Sequence, residues 1–414
     1  MNRREFLTGA ALAAASTMWA EQAKTPAQVA AKKKEARPEV PEVMAKLHPN
    51  RLISVDPHVQ LLGSDVFAVV WMTREKANGW VDWSQDGGQT WKRAWNQRDG
   101  LLVDAYDTVH KITVRGYDPT RPLQYRVTSR AFTNFGPYKV AYSGEEDTRL
   151  GKLNALLPAD GSFSFAMFND VHNNLSLYPA LAKQMTGLSF TVFVGDIMSH
   201  VDDEPGVQRD LLAPLAYCAE HTQAPMWYLR GNHETRGCFA RHLRDYIAQQ
   251  NGHFYGALTF GSARIVFVDT GEDKTDDHIE YSGMVDFESY LVEQTEWLAW
   301  EVASDEWKKA KFRIAIMHIP PHTRLPNGKV WQQPLARINK LQALLDTAGT
   351  TLVLGAHLHR HSMDATKQLH PYALVVGGGC TERNATLTRC DVKGGHLTVR
   401  QYTVSGEECD RIVL

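Results

Sequence analysis

Five short motifs built from metal-binding residue types constrain this chain more than any other feature, because each comes directly after a short apolar run. They are Asp170-Val-His172, Gly195-Asp196, Gly231-Asn232-His233-Glu234, Met317-His318 and His357-Leu-His359. A short apolar run bounded by turn residues is typical of a buried β-strand. The carboxyl ends of parallel strands meet at one edge of an α/β sheet, where ligands bind. The sequence therefore predicts one site formed by five strand ends.

The side chains of these motifs offer oxygen and imidazole nitrogen as ligand atoms, and the motifs contain no cysteine. Such ligands suit divalent or trivalent ions of Mn, Fe, Zn or Co. A single aspartate or histidine is more simply explained as a helix cap or a satisfied polar group, but five motifs in this order indicate a metal site. Seven candidate ligands are too many for one four-coordinate ion and fit two ions that share a bridge. The candidates are Asp170, His172, Asp196, Asn232, His318, His357 and His359.

The composition limits the class of protein and its partners. A chain of 414 residues with 43% hydrophobic and 22% charged residues is ordinary for a globular protein and long enough for two domains. The net charge of −2 gives no general attraction to nucleic acid, so no nucleic-acid partner is expected. Outside the N-terminus no apolar run approaches the ~20 residues of a membrane span, so no integral membrane segment is expected.

The N-terminus resembles a twin-arginine export signal. Arg3-Arg4 is followed by Phe6-Leu7 and by a stretch of small apolar residues, 9–20. Residues 1–20 are therefore expected to direct the chain to the periplasm or the outside, although a frayed basic terminus is the alternative. Residues 21–45, rich in Ala, Lys, Glu and Pro, are predicted to be a disordered linker. The cleavage site stays open, and so does the pairing of the five cysteines, of which Cys380 and Cys390 could face each other across a hairpin.

The rest of the chain divides at about residue 150. Residues 46–150 show short alternating strands with turn residues between them, which predicts a small β-sandwich domain. Within it, residues 84–91 resemble the Asp-box turn of sialidases, but a single copy indicates only a structural hairpin. In residues 160–414, apolar strands such as 163–168 alternate with helical periods such as 238–249, which predicts an α/β layered domain closed by C-terminal strands.

The ordered motifs resemble those of the calcineurin-like metallophosphoesterase superfamily, over about residues 160–380. The resemblance implies an α/β fold, a four-layer α/β/β/α sandwich, with a dinuclear metal centre. One ion would be held by Asp170, His172 and His359, and the other by Asn232, His318 and His357, with Asp196 as the bridge. His233 would lie over the substrate, as proton donor or phosphate contact.

The β-rich region adds a narrower resemblance. Residues 69–73, 109–116 and 125–127 are similar to the fibronectin-like domain that precedes the catalytic domain of purple acid phosphatases. That group has a metal-binding tyrosine three residues after the bridging aspartate, where this chain has Ser199. No purple charge-transfer band is therefore expected. A second departure is Ala356, which stands where a glycine usually precedes the first histidine of the last motif.

Together these features predict an exported dinuclear phosphoesterase that acts on a small phosphate mono- or diester. A hydroxide bridging the two ions would attack phosphorus, and Asp196 and His233 would be the catalytic residues. Three further side chains near the motifs could contact the substrate: His200, Arg236 and His322. The acidic stretch 272–277 is interpreted as a solvated turn.

Two other functions stay open at this point. The chain could be a binding protein on the same fold that has lost its metal ions. It could also be a glycan-binding protein that uses the tryptophans of the β-region, Trp80, Trp83, Trp91 and Trp95, as a sugar platform, although such residues more often pack. The natural substrate, the choice between monoester and diester, the metal identity and the oligomeric state are not determined by the sequence.

Overall fold

Strands make up most of the first part of the structure, a computed structural model that describes residues 40–414. A 3₁₀-helix, Glu42–Lys46, comes first. The strands that follow are β1 (Ile53–Gly63), β2 (Val66–Ser84), β3 (Lys92–Ala94), β4 (Gln97–Arg98), β5 (Leu102–Val103), β6 (Asp107–Arg115), β7 (Leu123–Gly136) and β8 (Lys139–Leu153). Residues two apart on β7, Leu123, Tyr125 and Val127, all enter the core, as the two-residue period of a strand requires.

From Phe163 onward strands and helices alternate. The strands are β9 (Phe163–Phe168), β10 (Phe190–Val194), β11 (Met226–Leu229), β12 (Gly256–Phe260), β13 (Ala263–Val268), β14 (Phe312–Met317), β15 (Thr323–Arg324), β16 (Val330–Trp331), β17 (Leu352–Gly355), β18 (Ser362–Asp364), β19 (Ala373–Val376), β20 (Thr386–Lys393), β21 (His396–Thr403) and β22 (Glu408–Val413). The α-helices are α1 (Tyr178–Gln184), α2 (Glu204–Val207), α3 (Ala213–Thr222), α4 (Leu243–Tyr246), α5 (Phe287–Ala303), α6 (Asp305–Lys309) and α7 (Ala336–Thr347). Short 3₁₀-helices are Leu175–Leu177, His233–Thr235, Cys238–His242 and Gln250–Gly252, and a π-helical turn, Gln208–Leu212, joins α2 to α3.

Two sheets carry the motifs at their strand ends. The first has the order β22-β21-β20-β9-β10-β11-β1-β2-β7-β8, with β3 and β6 also paired to β2. Its central strands β9, β10 and β11 are parallel. The second sheet has the order β12-β13-β14-β17-β19-β18, and β13, β14, β17 and β19 run parallel. Parallel strands that are buried on both faces are typical of a sheet covered by other layers.

Alternate residues of these strands enter different cores, and this gives the order of the layers. Phe165 lies in a core shared by the two sheets, whereas its neighbour Ala166 packs under α1 and α3. In the second sheet Ile265 lies in the shared core, and Val266 packs under α5 and α7. The order is therefore helices, sheet, sheet, helices, in agreement with the predicted mixed α/β fold.

The β-rich region is continuous with the first sheet. β1 pairs in parallel with β11 through Gln60 and Met226, and residues 41–414 form one compact unit. β2 pairs with β1 and β6 along its first half and with β7 and β3 along its second half. The all-β character of residues 46–150 is therefore found, while the fibronectin-like resemblance stays a prediction. The structure joins this region to residues 160–414 through backbone pairing and a common core.

Two predicted boundaries differ from the structure. The linker was expected to reach residue 45, but Glu42–Lys46 is helical because Val43 is fully buried and Tyr217 donates a hydrogen bond to the Glu42 carboxylate, 2.9 Å long. A helix was also expected over 238–249. Only α4 (Leu243–Tyr246) is α-helical there, because Leu243 and Tyr246 are buried, whereas Cys238–His242 is a 3₁₀-helix with no buried residue. The predicted signal, residues 1–20, lies outside the described residues.

Three of the four tryptophans predicted as a sugar platform, Trp80, Trp83 and Trp91, have basic side chains over their ring faces. Arg126 lies 4.4 Å from the ring centre of Trp91, and Lys92 lies 4.7 Å from that of Trp83, which is buried. Arg93 and Arg130 lie over Trp80, and Trp95 is about half exposed. Rings already stacked under cations do not offer a free sugar platform.

Two further features concern the described residues as a whole. All five cysteines are free thiols, so the open pairing of Cys380 with Cys390 is not formed. No helix within residues 40–414 has the length and apolar character needed to cross a membrane.

Candidate metal centre

The seven predicted ligands are delivered by five parallel strands whose carboxyl ends meet. In the first sheet Asp170 and Asp196 stand two residues beyond β9 and β10, and Asn232 stands three beyond β11. In the second sheet His318 directly follows β14 and His357 stands two residues beyond β17. The short apolar strands fix these positions because their side chains are buried on both faces.

Five of these residues have a left-handed backbone conformation, which L-amino acids seldom adopt. The φ angles are 52° at Asp170, 47° at His172, 52° at Asp196, 70° at His357 and 52° at His359. Asp and His tolerate this region better than most residues, but each still costs on the order of 1–2 kcal/mol. Strain of this kind clusters where the surrounding structure must hold side chains in a functional arrangement.

The first group of ligand atoms contains Asp170, His172 and His359. His172 Nε2 lies 3.0 Å from His359 Nε2, and His359 Nε2 lies 3.1 Å from Asp170 Oδ1. Asp170 Oδ1 is buried and has no hydrogen-bond donor among the described residues, whereas Oδ2 accepts the backbone N–H of His357 at 2.8 Å. A buried carboxylate oxygen that faces two imidazole nitrogens and lacks a donor fits a cation as its missing partner.

The second group contains Asn232, His318 and His357. Asn232 Oδ1 lies 3.1 Å from His318 Nε2 and 3.1 Å from His357 Nδ1. Asp196 connects the two groups, because its Oδ2 lies 3.2 Å from His318 Nε2 and 3.7 Å from His172 Nε2. Two groups of side chains that share Asp196 could therefore each hold a cation.

Two glycines allow the strand ends to approach each other. A Cβ on Gly195 would lie 2.2 Å from the backbone nitrogen of Gly231, and a Cβ on Gly231 would lie 2.3 Å from Asp196 Oδ1. Neither distance is sterically possible, so the motifs require glycine at both positions.

Glu234 ties the same two turns together. Its carboxylate is fully buried and accepts four backbone N–H groups: Oε1 from Ile197 at 2.7 Å and Met198 at 3.0 Å, and Oε2 from Asp196 at 2.8 Å and Gly231 at 2.7 Å. These bonds hold the turn that carries Asp196 against the turn that carries Asn232. Glu234 was part of a predicted motif, but its structural role was not predicted.

The outer nitrogens of the histidines are also held in place. His318 Nδ1 donates to the backbone oxygen of Val194 at 2.7 Å, and His357 Nε2 lies 3.3 Å from Asp273 Oδ2. Metal-binding histidines commonly donate their second ring N–H to a carbonyl or carboxylate in this way, which fixes the tautomer. His318 would therefore present Nε2 to a metal ion, and His357 would present Nδ1.

Asp273 was missed by the sequence reasoning, which interpreted residues 272–277 as a solvated turn. That interpretation is wrong for the first two residues, because Glu272 is fully buried and Asp273 faces His357. The hydrogen bond from His357 keeps the pKa of the Asp273 carboxyl well below its usual range. A run of six charged or polar residues gives no signal that some of them turn inward, since that depends on the path of the loop.

Burial and neighbouring charges shift the pKa values of three groups in the centre, His172, His318 and Asp196. Burial lowers the pKa of His172 to about 4, against the attraction of Asp196 and Asp170. Burial also disfavours the charged form of His318, but the Asp196 carboxylate outweighs it and raises the pKa of His318 to about 10. The same pairing keeps the pKa of Asp196 well below its usual range, although burial opposes it. Asp196 is therefore held as an anion, the form in which a carboxylate binds a metal ion.

His233 lies beside His172 of the first group, with ring centres 4.6 Å apart, and is oriented by two neighbours. Its Nδ1 donates to the backbone oxygen of Ser199 at 2.7 Å, so Nε2 carries the lone pair in the neutral ring. Nε2 lies 4.0 Å from Asp196 Oδ2 and accepts from Arg236 Nη1 at 3.1 Å. This nitrogen faces the centre without being part of either ligand group.

His200, Arg236 and His322, the three predicted substrate contacts, each have a hydrogen-bond or ion-pair partner within the protein. Arg236 is paired with Glu272 at 2.8 Å and with Glu280 at 3.1 Å, so its charge is already balanced. His200 pairs with Asp202 at 2.8 Å, and its side chain is 58% exposed. His322 accepts the backbone N–H of Gln333 at 2.9 Å. Among the three, only Arg236 contacts a residue of the candidate centre, within the described part of the chain.

Comparison with known proteins agrees with this geometry. Residues 163–361 match the family model of the calcineurin-like phosphoesterases, and no curated protein matches the chain. Similar solved structures include a dimetal phosphatase from Danio rerio, with 12% identity and a TM-score of 0.44 over 61% of this chain and 98% of that one. Another is a protein of Thermus thermophilus, with 16% identity and a TM-score of 0.39 over 59% and 99% of the two chains. A putative 5'-nucleotidase from Staphylococcus aureus, in complex with alpha-ketoglutarate, has 16% identity and a TM-score of 0.37 over 61% and 54%.

The TM-scores are below 0.5, so no inference about this chain rests on those three likenesses. The matched residues 163–361 include all seven candidate ligands and His233. The resemblance of the motifs is thereby confirmed, and the chain contains a calcineurin-like phosphoesterase domain.

Proposed function

We propose that this protein is a phosphoesterase that uses two metal ions to hydrolyse a phosphate mono- or diester. The observation that carries the proposal is the position of Asp196 Oδ2, which lies within 3.7 Å of a nitrogen from each of the two ligand groups. Two divalent or trivalent cations bound there would activate a water molecule and neutralise the charge that grows on the phosphoryl oxygens. Mn, Fe, Zn and Co all suit the oxygen and imidazole ligands.

The side chains that would hold the two metal ions are fixed in position by the fold. Asp196, His318 and Asn232 form one wall of the centre, and their positions are fixed by burial before any substrate arrives. Such preorganisation removes the cost of rearranging the ligands during the reaction. The left-handed residues Asp170 and His359 hold the other wall in the same way.

His233 is proposed as the residue that supplies a proton to the leaving oxygen. Because the Ser199 carbonyl holds the proton on Nδ1, Nε2 is the nitrogen that can take up a second proton and give it away. Arg236 Nη1 donates to the neutral Nε2 at 3.1 Å, so this hydrogen bond must open when Nε2 takes up the proton, while Glu272 keeps the guanidinium in place. Arg236 thus acts on His233 as a positioning residue rather than as a contact to phosphate.

The proposal is tested by measuring metal content and hydrolysis in the same preparation. Purified protein loaded with Mn, Fe, Zn or Co is expected to hold two ions per chain and to hydrolyse p-nitrophenyl phosphate or bis-p-nitrophenyl phosphate. His359→Ala should lose metal and activity. His396→Ala is the control, because His396 is exposed and belongs to none of the groups of side chains that could hold a metal ion.

A loaded protein without activity on either ester would reject the proposed enzyme. A metal content near zero under all four loading conditions would instead support the alternative, a binding protein on the same fold. Comparison of the two esters also shows whether monoesters or diesters are preferred.

A further inference from the structure

A third group of metal-binding side chains lies outside the candidate centre, where edge strands of the two sheets meet. It consists of His361, Cys409 and Asp410, whose ligand atoms all lie within 4.8 Å of one another. His361 directly precedes β18, the last strand of the second sheet, whereas Cys409 and Asp410 belong to β22, the last strand of the first sheet. The two strands contact each other. The fold thus brings an imidazole, a thiol and a carboxylate together from two separate elements.

A β-bulge in β22 explains how two neighbouring residues can serve one site. Consecutive side chains of a regular strand point to opposite faces of the sheet. In the pairing of β21 with β22, Gln401 lies opposite Asp410 and Tyr402 lies opposite Glu408, so Cys409 is the additional residue of a bulge. A bulge of this kind redirects a side chain. Cys409 and Asp410 can therefore both offer a ligand atom to the same ion.

The Asp410 carboxylate has no strong cationic partner of its own. His361 Nε2 lies 3.9 Å from Asp410 Oδ2, which is too far for a hydrogen bond. Two basic side chains of the paired strands, Arg400 and Arg411, are attached to Glu408 instead. Within residues 40–414 no lysine or arginine nitrogen lies within 4.0 Å of the Asp410 carboxylate. The negative charge at this position is therefore available to a metal ion.

The spacing of the ligand atoms suits zinc after a small movement of the side chains. Ligand atoms around a tetrahedral zinc ion lie about 3.3–3.6 Å apart, so His361 and Asp410 would need to approach by about half an ångström. Their side chains are 37% and 40% exposed, which leaves them room to rotate. Burial raises the pKa of the Cys409 thiol, which donates to the backbone oxygen of Gln401 at 3.4 Å. A metal ion would displace that proton and end this hydrogen bond.

From these observations we infer that His361, Cys409 and Asp410 bind a third metal ion, a zinc ion with water as its fourth ligand. The thiolate favours zinc over harder ions such as manganese. The ion would fasten β18 to β22 and so join the edges of the two sheets. It should bind after the two ions of the proposed centre, because it has three protein ligands whereas each of those would have four when Asp196 is counted for both. The inference does not depend on the proposed phosphoesterase function.

Cobalt provides the test, because a thiolate ligand gives Co²⁺ a charge-transfer band in the near ultraviolet, and the seven candidate ligands of the centre contain no cysteine. The reduced full chain is titrated with Co²⁺ beyond two equivalents. The wild type should develop the band, and zinc at the same concentration should abolish it. Cys409→Ser should lose the band. Cys238→Ser is the matched control and should keep it, because Cys238 is also exposed and belongs to none of the groups that could hold a metal ion. No band in the wild type, or a band that remains in Cys409→Ser, would overturn the inference.

Two further variants distinguish a three-residue site from a single reactive thiol. Asp410→Asn and His361→Gln keep Cys409, so the band can still form at high cobalt concentration. Loss of a residue that only orients a ligand weakens metal binding about 10–100-fold, so loss of a ligand should raise the Kd for cobalt by at least about 10-fold. Glu407→Gln is the control, because Glu407 is exposed and belongs to none of the groups, and it should leave the Kd unchanged.

These measurements also separate failure of the third site from failure of the enzyme. Cobalt binding by Asp410→Asn and His361→Gln that was as tight as in the wild type would show that Cys409 holds the ion alone, and would reject the site. A protein that shows the band, loses it in Cys409→Ser and hydrolyses neither ester would keep the third site and reject the phosphoesterase.

Discussion

Replacement of Glu234 by glutamine is the sharpest test of how the centre is held. The substitution keeps the shape of the side chain but turns one carboxylate oxygen into an amide NH₂ group. Each carboxylate oxygen accepts two backbone N–H groups, so whichever oxygen is replaced, two buried donors lose their acceptor. The new amide hydrogens then face these donors without an acceptor of their own.

The size of the effect follows from the number of lost acceptors. A buried donor left without a partner costs about 1–3 kcal/mol, so two cost about 2–6 kcal/mol. Removal of the negative charge also removes its repulsion with the buried Asp196 carboxylate, which acts in the opposite direction. We therefore expect the free energy of unfolding to fall by about 2–4 kcal/mol, a large part of the 5–15 kcal/mol typical of folded proteins.

Urea unfolding of the metal-free protein at pH 7.5 measures this loss. Circular dichroism and tryptophan fluorescence should give the same transition, so that one midpoint describes the unfolding. Glu296→Gln serves as the control, because Glu296 is exposed on α5, and it should shift the free energy by no more than about 0.5 kcal/mol. If Glu234→Gln unfolded within that margin of the wild type, the four hydrogen bonds would not be holding the turns together.

Three further outcomes are expected. Asp196→Asn should leave at most one tightly bound metal ion per chain and lower p-nitrophenyl phosphate turnover by more than about 100-fold, which metal analysis and steady-state rates will check. His233→Ala should keep both ions and lower kcat by about 10²–10⁴-fold, and full activity would remove its role as proton donor. Burial lowers the pKa of His58 to about 3 and that of His110 to about 4, so the unfolded chain takes up protons below pH 6.5 while these folded histidines do not. The free energy of unfolding should thus fall by about 1.4 kcal/mol per histidine between pH 7.5 and pH 5.5, and urea titrations of His110→Gln should show a smaller fall than those of the exposed control His396→Gln.

The sequence was sufficient to predict the strands and the meeting of the motifs. Strand β9 begins and ends where predicted, because buried parallel strands are short continuous apolar runs bounded by polar residues. The convergence of Asp170 with His359, 189 positions later, followed from the rule that parallel strand ends share one edge. The roles of the individual ligands stay predictions until a metal is measured.

Contacts between loops and between distant strands depend on the path of the chain in space, and the local sequence does not predict them. Asp273 faces His357 only because the loop after β13 folds back over the second sheet. The pairing of β1 with β11 joins residues more than 160 positions apart, and the alternation of the early strands is equally compatible with a separate domain. Arg236 illustrates the same limit, since only the structure shows that Glu272 and Glu280 already neutralise it.

Because the first sheet continues from the early strands into residues 160–414, the second part of the chain cannot be expressed alone without exposing a sheet edge. A chain cut before residue 160 would leave the backbone of β11 unpaired along the side where β1 now lies, and an unprotected strand edge invites association with other chains. It would also uncover Trp227 and Leu258, which share a core with Val59 and Leu61. Residues 163–361, which match the family model, therefore depend on the early strands, which pair with one edge of β11 and cover part of the core.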